Sequence, residues 1–161
     1  MSQETSIAFK SLEALEAFLE KMIHTPSDEA EGLSEMDHGL QCAAVLKADC
    51  ADDLVLQVAG LLHDVGHTFS HIRDHGEAGG LALRELMGDR IADLVSLHVP
   101  AKRYLVTTDP AYRALLSPRS IETLALQGGD MSPAEVAAYE GHPHGADAVR
   151  LRRAEDRKSV V

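Results

Sequence analysis

Apolar residues recur at helical spacing from Ser11 to Ile23, at Leu12, Leu15, Phe18, Leu19 and Met22, and predict an amphipathic helix. Pro26 in Thr25-Pro26-Ser27-Asp28 ends it, because proline lacks the N–H the ladder needs. Asp28-Glu29-Ala30-Glu31-Gly32 then reads as an acidic loop. A second helix is predicted from about Ser34 to Ala48. A third starts near Asp52 or Asp53, either of which can cap it, and runs through Leu54, Val58, Leu61 and Leu62 to His63-Asp64. Gly66 weakens this helix just past that dyad, and a loop rich in His and Gly follows. Helical signals resume over Glu77–Met87, with Gly88 as C-cap, and over about Asp89–His98, stopping before Pro100. Ser117-Pro118 and Ser132-Pro133 each pair an N-cap with proline at the first helical position, and Glu135 completes a capping box with Ser132. Gly128-Gly129 ends the first of these helices, and a last helix covers about Gly145 to Arg157. No alternating strand, internal repeat or linker interrupts the pattern, so the expected class is all-α, a single helical bundle spanning 1–161.

Composition narrows what such a bundle does. The 161 residues suit one core, and with aromatics at 4% and no Trp, aliphatic and Ala packing must supply it. A net charge of −11 argues against nucleic acid and anionic membranes, both of which require a basic face. It fits an enzyme of small molecules. The two cysteines, Cys42 and Cys50, form no disulfide framework. No basic segment followed by an apolar run opens the chain, and no apolar run is long enough to span a bilayer, so a cytoplasmic protein is expected.

The chemistry lies in nine histidines. A lone helical histidine is more often a hydrogen-bonded core or surface residue than a ligand, and His24, His71, His142 and His144 carry little weight. The ordered set His38, His63-Asp64, His75, His98 and Asp156 carries more. It offers neutral imidazoles from separate helices and a carboxylate able to bridge two cations, which is what a dinuclear site in a bundle core needs. His63 and Asp64 converge on metal if the helix ends there and Asp64 bridges. His67, one turn after His63, can face the same cavity.

Leu61-Leu62-His63-Asp64-Val65-Gly66-His67 resembles the signature of the HD-domain superfamily, which contains phosphohydrolases and a smaller group of diiron oxygenases. Met36-Asp37-His38-Gly39-Leu40-Gln41-Cys42-Ala43, Leu97-His98-Val99-Pro100-Ala101-Lys102-Arg103-Tyr104-Leu105, Leu116-Ser117-Pro118-Arg119-Ser120, Leu126-Gln127-Gly128-Gly129 and the run from Val149 to Asp156 are similar to that oxygenase group. Within it they resemble the enzymes that oxidise 2-amino-1-hydroxyethylphosphonate or its N-trimethyl analogue. The resemblance covers residues 28–158, with 1–27 as an N-terminal helix and connector.

The resemblance implies an HD-domain bundle holding two iron ions (Fe2+/Fe3+), one on His38, His63, Asp64 and Asp156 and the other on His75 and His98, with Asp64 between them. Asp147 competes with Asp156, and His71 with His75, because the loop after the dyad is shorter than the family's. It further implies that Lys102, Ser120 and Arg153 bind the phosphonate, that His67 lies beside the substrate hydroxyl, and that Glu31 receives the amine. Asp28 stands where the aminohydroxyethylphosphonate enzyme has a metal-capping Tyr. The implied activity is O2-dependent cleavage of the C–P bond of a cationic 1-hydroxyphosphonate, releasing phosphate and glycine or glycine betaine, with His67 and Lys102 as catalytic residues. The implied partners are an organophosphonate, O2 and an iron/2-oxoglutarate hydroxylase acting upstream. The alternative is an HD-type metal-dependent phosphohydrolase acting on a small phosphate ester or nucleotide.

Overall fold

The computed structural model describes residues 7–28, 31–71 and 73–157. Those residues form helices joined by short turns, and no strand is found among them. The order is α1 Leu12–Ile23, α2 Glu35–Asp49, α3 Leu54–Leu62, a 3-10 turn at Val65–Thr68, α4 His75–Met87, α5 Asp89–Thr108, α6 Pro110–Ala114, α7 Pro118–Leu126, α8 Pro133–Glu140 and α9 Gly145–Arg157.

The helices begin where side chains satisfy their first N–H groups. Ser11 accepts from Ala14 at the start of α1, and Asp53 accepts from Leu56 at the start of α3. Ser34 with Asp37, and Ser132 with Glu135, form reciprocal capping boxes. Asp109 caps α6, a short helix that the apolar pattern does not reveal because it has too few turns to show a period.

The expected stop of α5 before Pro100 is corrected: the helix continues to Thr108. Proline removes one N–H and leaves the Ser96 carbonyl without its usual helical donor. Packing on both sides outweighs that cost. Leu94, Val95, His98 and Val99 are buried before the proline, and Ala101, Lys102, Leu105 and Val106 after it. Fully burying one Leu or Val contributes roughly 1.5–3 kcal/mol, so several such residues offset one broken helical bond.

Helix α5 is the central strut, packing against α3, α4, α6 and α9, while α2 packs on α3 and α9. One core cluster joins Cys42, Leu46, Leu56, Ala59, Leu94, Ala101, Ala148 and Leu151. A second joins Phe9, Leu15, Met22, Leu62, Val65, Leu83, Ile91 and Val95. A third, of Leu105, Val106, Tyr112 and Leu124, seats α6 and α7 on the far end of α5. His63 follows Leu62 of the second cluster, and His98 stands between Val95 of the second and Ala101 of the first. The polar residues thus occupy the seam between two apolar clusters.

Two glycines set how closely that seam closes. A Cβ on Gly39 would lie 2.4 Å from the Leu61 carbonyl oxygen, so α2 and α3 meet backbone to backbone beside His38. A Cβ on Gly66 would lie 1.9 Å from the His75 carbonyl oxygen and 3.0 Å from the Gly79 nitrogen, locking the turn after the dyad onto α4. Backbone cannot rotate aside as a side chain can. Gly66→Ala is therefore expected to cost about 3 kcal/mol of stability, read as a lowered midpoint in thermal and urea denaturation.

Candidate metal centre

Five helical segments converge on Asp64. The dyad ends α3, so His63 is its C-cap and Asp64 opens the 3-10 turn. This change of helix type lets two adjacent side chains reach one point. His38 comes from α2, His75 is the first residue of α4, His98 lies mid-α5, and all are buried.

The Asp64 carboxylate divides its oxygens between two histidine pairs. Oδ2 lies 2.7 Å from His38 Nε2 and 3.2 Å from His63 Nε2. Oδ1 lies 3.1 Å from His75 Nε2 and 3.4 Å from His98 Nε2. Within each pair the ring nitrogens almost touch, at 3.0 Å for His38 and His63 and 2.9 Å for His75 and His98. The donor atoms form two groups, His38-His63-Asp64-Glu155 and Asp64-His75-His98, that share Asp64.

The donor set fits metal ions. His63 Nδ1 lies 2.6 Å from the Gly60 carbonyl oxygen, and His98 Nδ1 lies 2.6 Å from that of Val95. A carbonyl only accepts, so both Nδ1 atoms carry the proton and both Nε2 atoms are left to offer lone pairs inward. Glu155 Oε1 is buried with no hydrogen-bond partner among the described residues, and points at His63 Nε2 from 3.6 Å and His38 Nε2 from 3.9 Å. Two donors each about 2.1 Å from one ion and at right angles are about 3 Å apart, the spacing seen within both histidine pairs.

The electrostatics agree. Burial opposes ionisation of Asp64, yet His63 and His67 hold its carboxyl well below the usual range. Burial likewise opposes ionisation of Glu155, and Arg152 and His63 outweigh it, leaving the carboxyl strongly depressed. Burial also disfavours a charged His63, but Asp64 and Glu155 push its pKa well up, so the pocket favours positive charge there. Burial, reinforced by His75, pushes His98 down to about 4, leaving it neutral as a ligand must be.

His67 stands at the edge of this centre. Its ring stacks on His75 with centroids 3.9 Å apart, and Nε2 lies 3.4 Å from Asp64 Oδ1 with no hydrogen-bond partner among the described residues. Burial lowers its pKa. Lys102 is buried one turn beyond His98 on α5, and its ammonium donates to Thr123 Oγ1 at 2.6 Å and Gln127 Oε1 at 3.0 Å. Ser120 and Thr123 share one face of α7, Gln127 is the helix's C-cap, and Ser120 is buried.

Other expected site residues fall elsewhere. Asp156 does not join the cluster: Oδ2 accepts from Tyr112 at 2.6 Å and Oδ1 from Arg152 at 2.8 Å. Arg153 lies on the surface, donating to Asp109 at 3.1 Å, while the buried arginine is Arg152. Both corrections have one cause, the phase of α9. Ala148 and Leu151 are fully buried, and the helical repeat carries that face on to Glu155, whereas Arg153 turns the opposite way. That apolar phase was the available signal for Arg152 and Glu155. Asp147, the other candidate, is paired with Arg90 at 3.2 Å. His71 is exposed. Asp28 is surface-exposed and pairs with Arg119, and Glu31 is exposed; Glu29 lies outside the described residues.

Comparison with known proteins agrees with this arrangement. The family model described as HD domain matches residues 27–132. A [1-hydroxy-2-(trimethylamino)ethyl]phosphonate dioxygenase (glycine-betaine-forming) of Leisingera caerulea is 36% identical over 132 residues, covering 76% of this chain and 67% of that protein. A hydroxymethylphosphonate dioxygenase of Gimesia maris is 34% identical over 148 residues, covering 85% of this chain and 73% of that protein. An uncharacterized protein of Acanthamoeba polyphaga mimivirus is 29% identical over 143 residues, covering 81% of this chain and 65% of that protein. The chain belongs to the HD-domain family, in the branch that includes these two dioxygenases.

The exchange of Asp156 for Glu155 as the last carboxylate is open to direct measurement. Metal analysis of purified protein loaded with excess iron is expected to give two ions per chain. Glu155→Gln should retain about one, and Asp147→Asn should retain two.

Proposed function

We propose that this HD-domain protein is a diiron oxygenase that uses O2 to break the C–P bond of a 1-hydroxyphosphonate, releasing inorganic phosphate. The observation that carries the reading is the Asp64 carboxylate, shared between two buried histidine pairs as a two-metal centre requires. The names of the Leisingera caerulea and Gimesia maris relatives support the choice of oxidation over hydrolysis and the choice of a phosphonate. The preferred substrate bears a cationic amino or trimethylammonium group, and the product is then glycine or glycine betaine. The chain would act after an iron/2-oxoglutarate hydroxylase that installs the 1-hydroxyl. No helix among the described residues is long and apolar enough to cross a membrane, and a cytoplasmic location is part of the proposal.

Bound iron supplies the activation of O2 and the electron transfer that the protein's side chains cannot. His38, His63, Asp64 and Glu155 would hold one ion, and Asp64, His75 and His98 the other. The chain's remaining task is to hold the phosphonate and exclude water. Lys102 is suited to the phosphonate, because its ammonium is already desolvated and is held in place by the Thr123 and Gln127 oxygens. Ser120 would add a hydroxyl from the adjacent face of α7. His67 would exchange a proton with the substrate hydroxyl, a role supported by its unpartnered Nε2 beside Asp64. Asp28 and Glu31 belong to an acidic loop whose diffuse negative charge suits a quaternary ammonium, which has no N–H to donate. The Arg119 contact ties Asp28 to α7 next to Ser120, so the loop and the anion site share one element.

Iron-loaded protein mixed anaerobically with substrate should release no phosphate, and admitting air should start release. Release without oxygen would instead indicate a phosphohydrolase. Lys102→Met is expected to lower kcat/KM about 10- to 100-fold on every phosphonate, the cost of a lost charged hydrogen bond. Glu31→Gln should raise KM several-fold for the trimethylammonium substrate and leave hydroxymethylphosphonate unaffected, as steady-state phosphate assays on both compounds would show.

A further inference from the structure

Helix α6 reaches the candidate ligand Glu155 of α9 through a polar chain, Tyr112, Asp156 and Arg152, that the proposed chemistry does not otherwise use. Tyr112, 5% exposed, donates its hydroxyl proton to Asp156 Oδ2 at 2.6 Å and accepts from Arg152 Nε at 3.1 Å. Arg152, 2% exposed, also donates from Nη2 to Asp156 Oδ1 at 2.8 Å and from Nη1 to Glu155 Oε2 at 3.1 Å. Only the other Glu155 oxygen is left facing His38 and His63. The order from α6 inward is therefore Tyr112, Asp156, Arg152, Glu155, histidine pair.

A glutamate has one more rotatable bond than an aspartate, and a metal ligand with that freedom loses rotamer entropy when it is fixed. Here the guanidinium fork fixes it, and the fork in turn is fixed by Asp156 and the Tyr112 hydroxyl. Burial, with the neighbouring Asp156, pushes the Tyr112 hydroxyl well above the usual phenol range, so it stays a donor. A second tie between the same helices, Arg153 to Asp109, lies at the surface and does not reach Glu155.

We propose that Tyr112 is a positioning residue for the Glu155 carboxylate, acting through the Asp156–Arg152 pair to hold Glu155 Oε1 on the His38–His63 side of the centre. This rests on the reading of the cluster as a two-metal site. The role concerns one of the two donor groups, because Glu155 gathers with His38, His63 and Asp64, while the second group is Asp64, His75 and His98.

The test is anaerobic chelator competition with ferrous iron on the full chain, with cobalt(II) absorption spectra as a report on coordination geometry. Tyr112→Phe keeps the ring that packs against Leu105, Val106 and Leu124. It is expected to weaken one of the two sites about tenfold and to alter that site's cobalt spectrum, leaving the other site unchanged. Asp156→Asn, which keeps the tyrosine, is expected to do the same. Arg153→Ala, which cuts only the surface tie, should match the wild type at both sites. Two sites of wild-type affinity and spectrum in Tyr112→Phe would overturn the proposal, and so would an equal loss at both sites, the mark of general loosening. If wild-type protein itself fails to bind two ions, the two-metal reading falls instead, and the two failures are thereby told apart.

Discussion

The bundle is organised around the need to bring four imidazoles to the two oxygens of one buried carboxylate. Asp64 is almost fully enclosed, and an ionised carboxylate there is costly unless positive charge or donors surround it. Each of its oxygens meets one histidine pair, one from α2 and the dyad, the other from α4 and α5. Helices α2, α3, α4 and α5 cannot shift independently without breaking a contact to Asp64. The close glycine contacts at Gly39 and Gly66 follow from the same demand, since larger residues there would hold the ligand-bearing helices apart. A metal pair bound there would supply the countercharge, and would couple the stability of the seam between the two apolar clusters to metal loading.

Much of this was legible in the sequence because it is written in local signals. Caps at Asp53, Ser117 and Ser132 announce helix starts, and each caps in the structure. The all-α class and the convergence of His38, His63, Asp64, His75 and His98 were likewise readable, the first from periodicity and the second from imidazoles interrupting core-like helices. Where reading failed, tertiary packing had overridden a local rule. Pro100 is a stop signal by itself, but α5 is buried on both sides of it and continues. The last turns of α9 carry Glu155 and Asp156 side by side; the resemblance pointed to Asp156, whereas the structure gathers Glu155 with His38 and His63. The apolar phase set by Ala148 and Leu151 distinguishes them, because it measures which face is inside rather than which residue type is customary.

That last helix also lies beyond the stretch matched by the HD-domain model, which ends at residue 132. Within the matched stretch both histidine pairs and the shared carboxylate are complete. What α9 adds is a second carboxylate on one side only, at the His38–His63 pair. The two sides of Asp64 therefore differ in ligand charge: one group holds Asp64 and Glu155, the other Asp64 alone. The more anionic group stabilises the higher charge state of an ion, and the less anionic group leaves fewer protein donors and more room for an exogenous ligand. Such asymmetry would suit two ions of unlike charge.

Continuity of α5 through Pro100 links this centre to the buried Lys102, the residue proposed to receive the anion. His98 and Lys102 lie one turn apart on that helix, on either side of the proline. Had the helix stopped where proline normally stops one, Lys102 would have entered a loop and its side chain would have been solvated. Instead the helix carries the ammonium into a buried niche against α7, where Thr123 and Gln127 hold it. In the proposed function, a desolvated cation with a fixed position relative to a metal ligand would discriminate by distance, favouring a dianion that reaches it from the centre. A phosphonate with its hydroxyl on the adjacent carbon is the dianion that the proposed function would place there, and an ammonium held in advance would receive it without reorganising the protein.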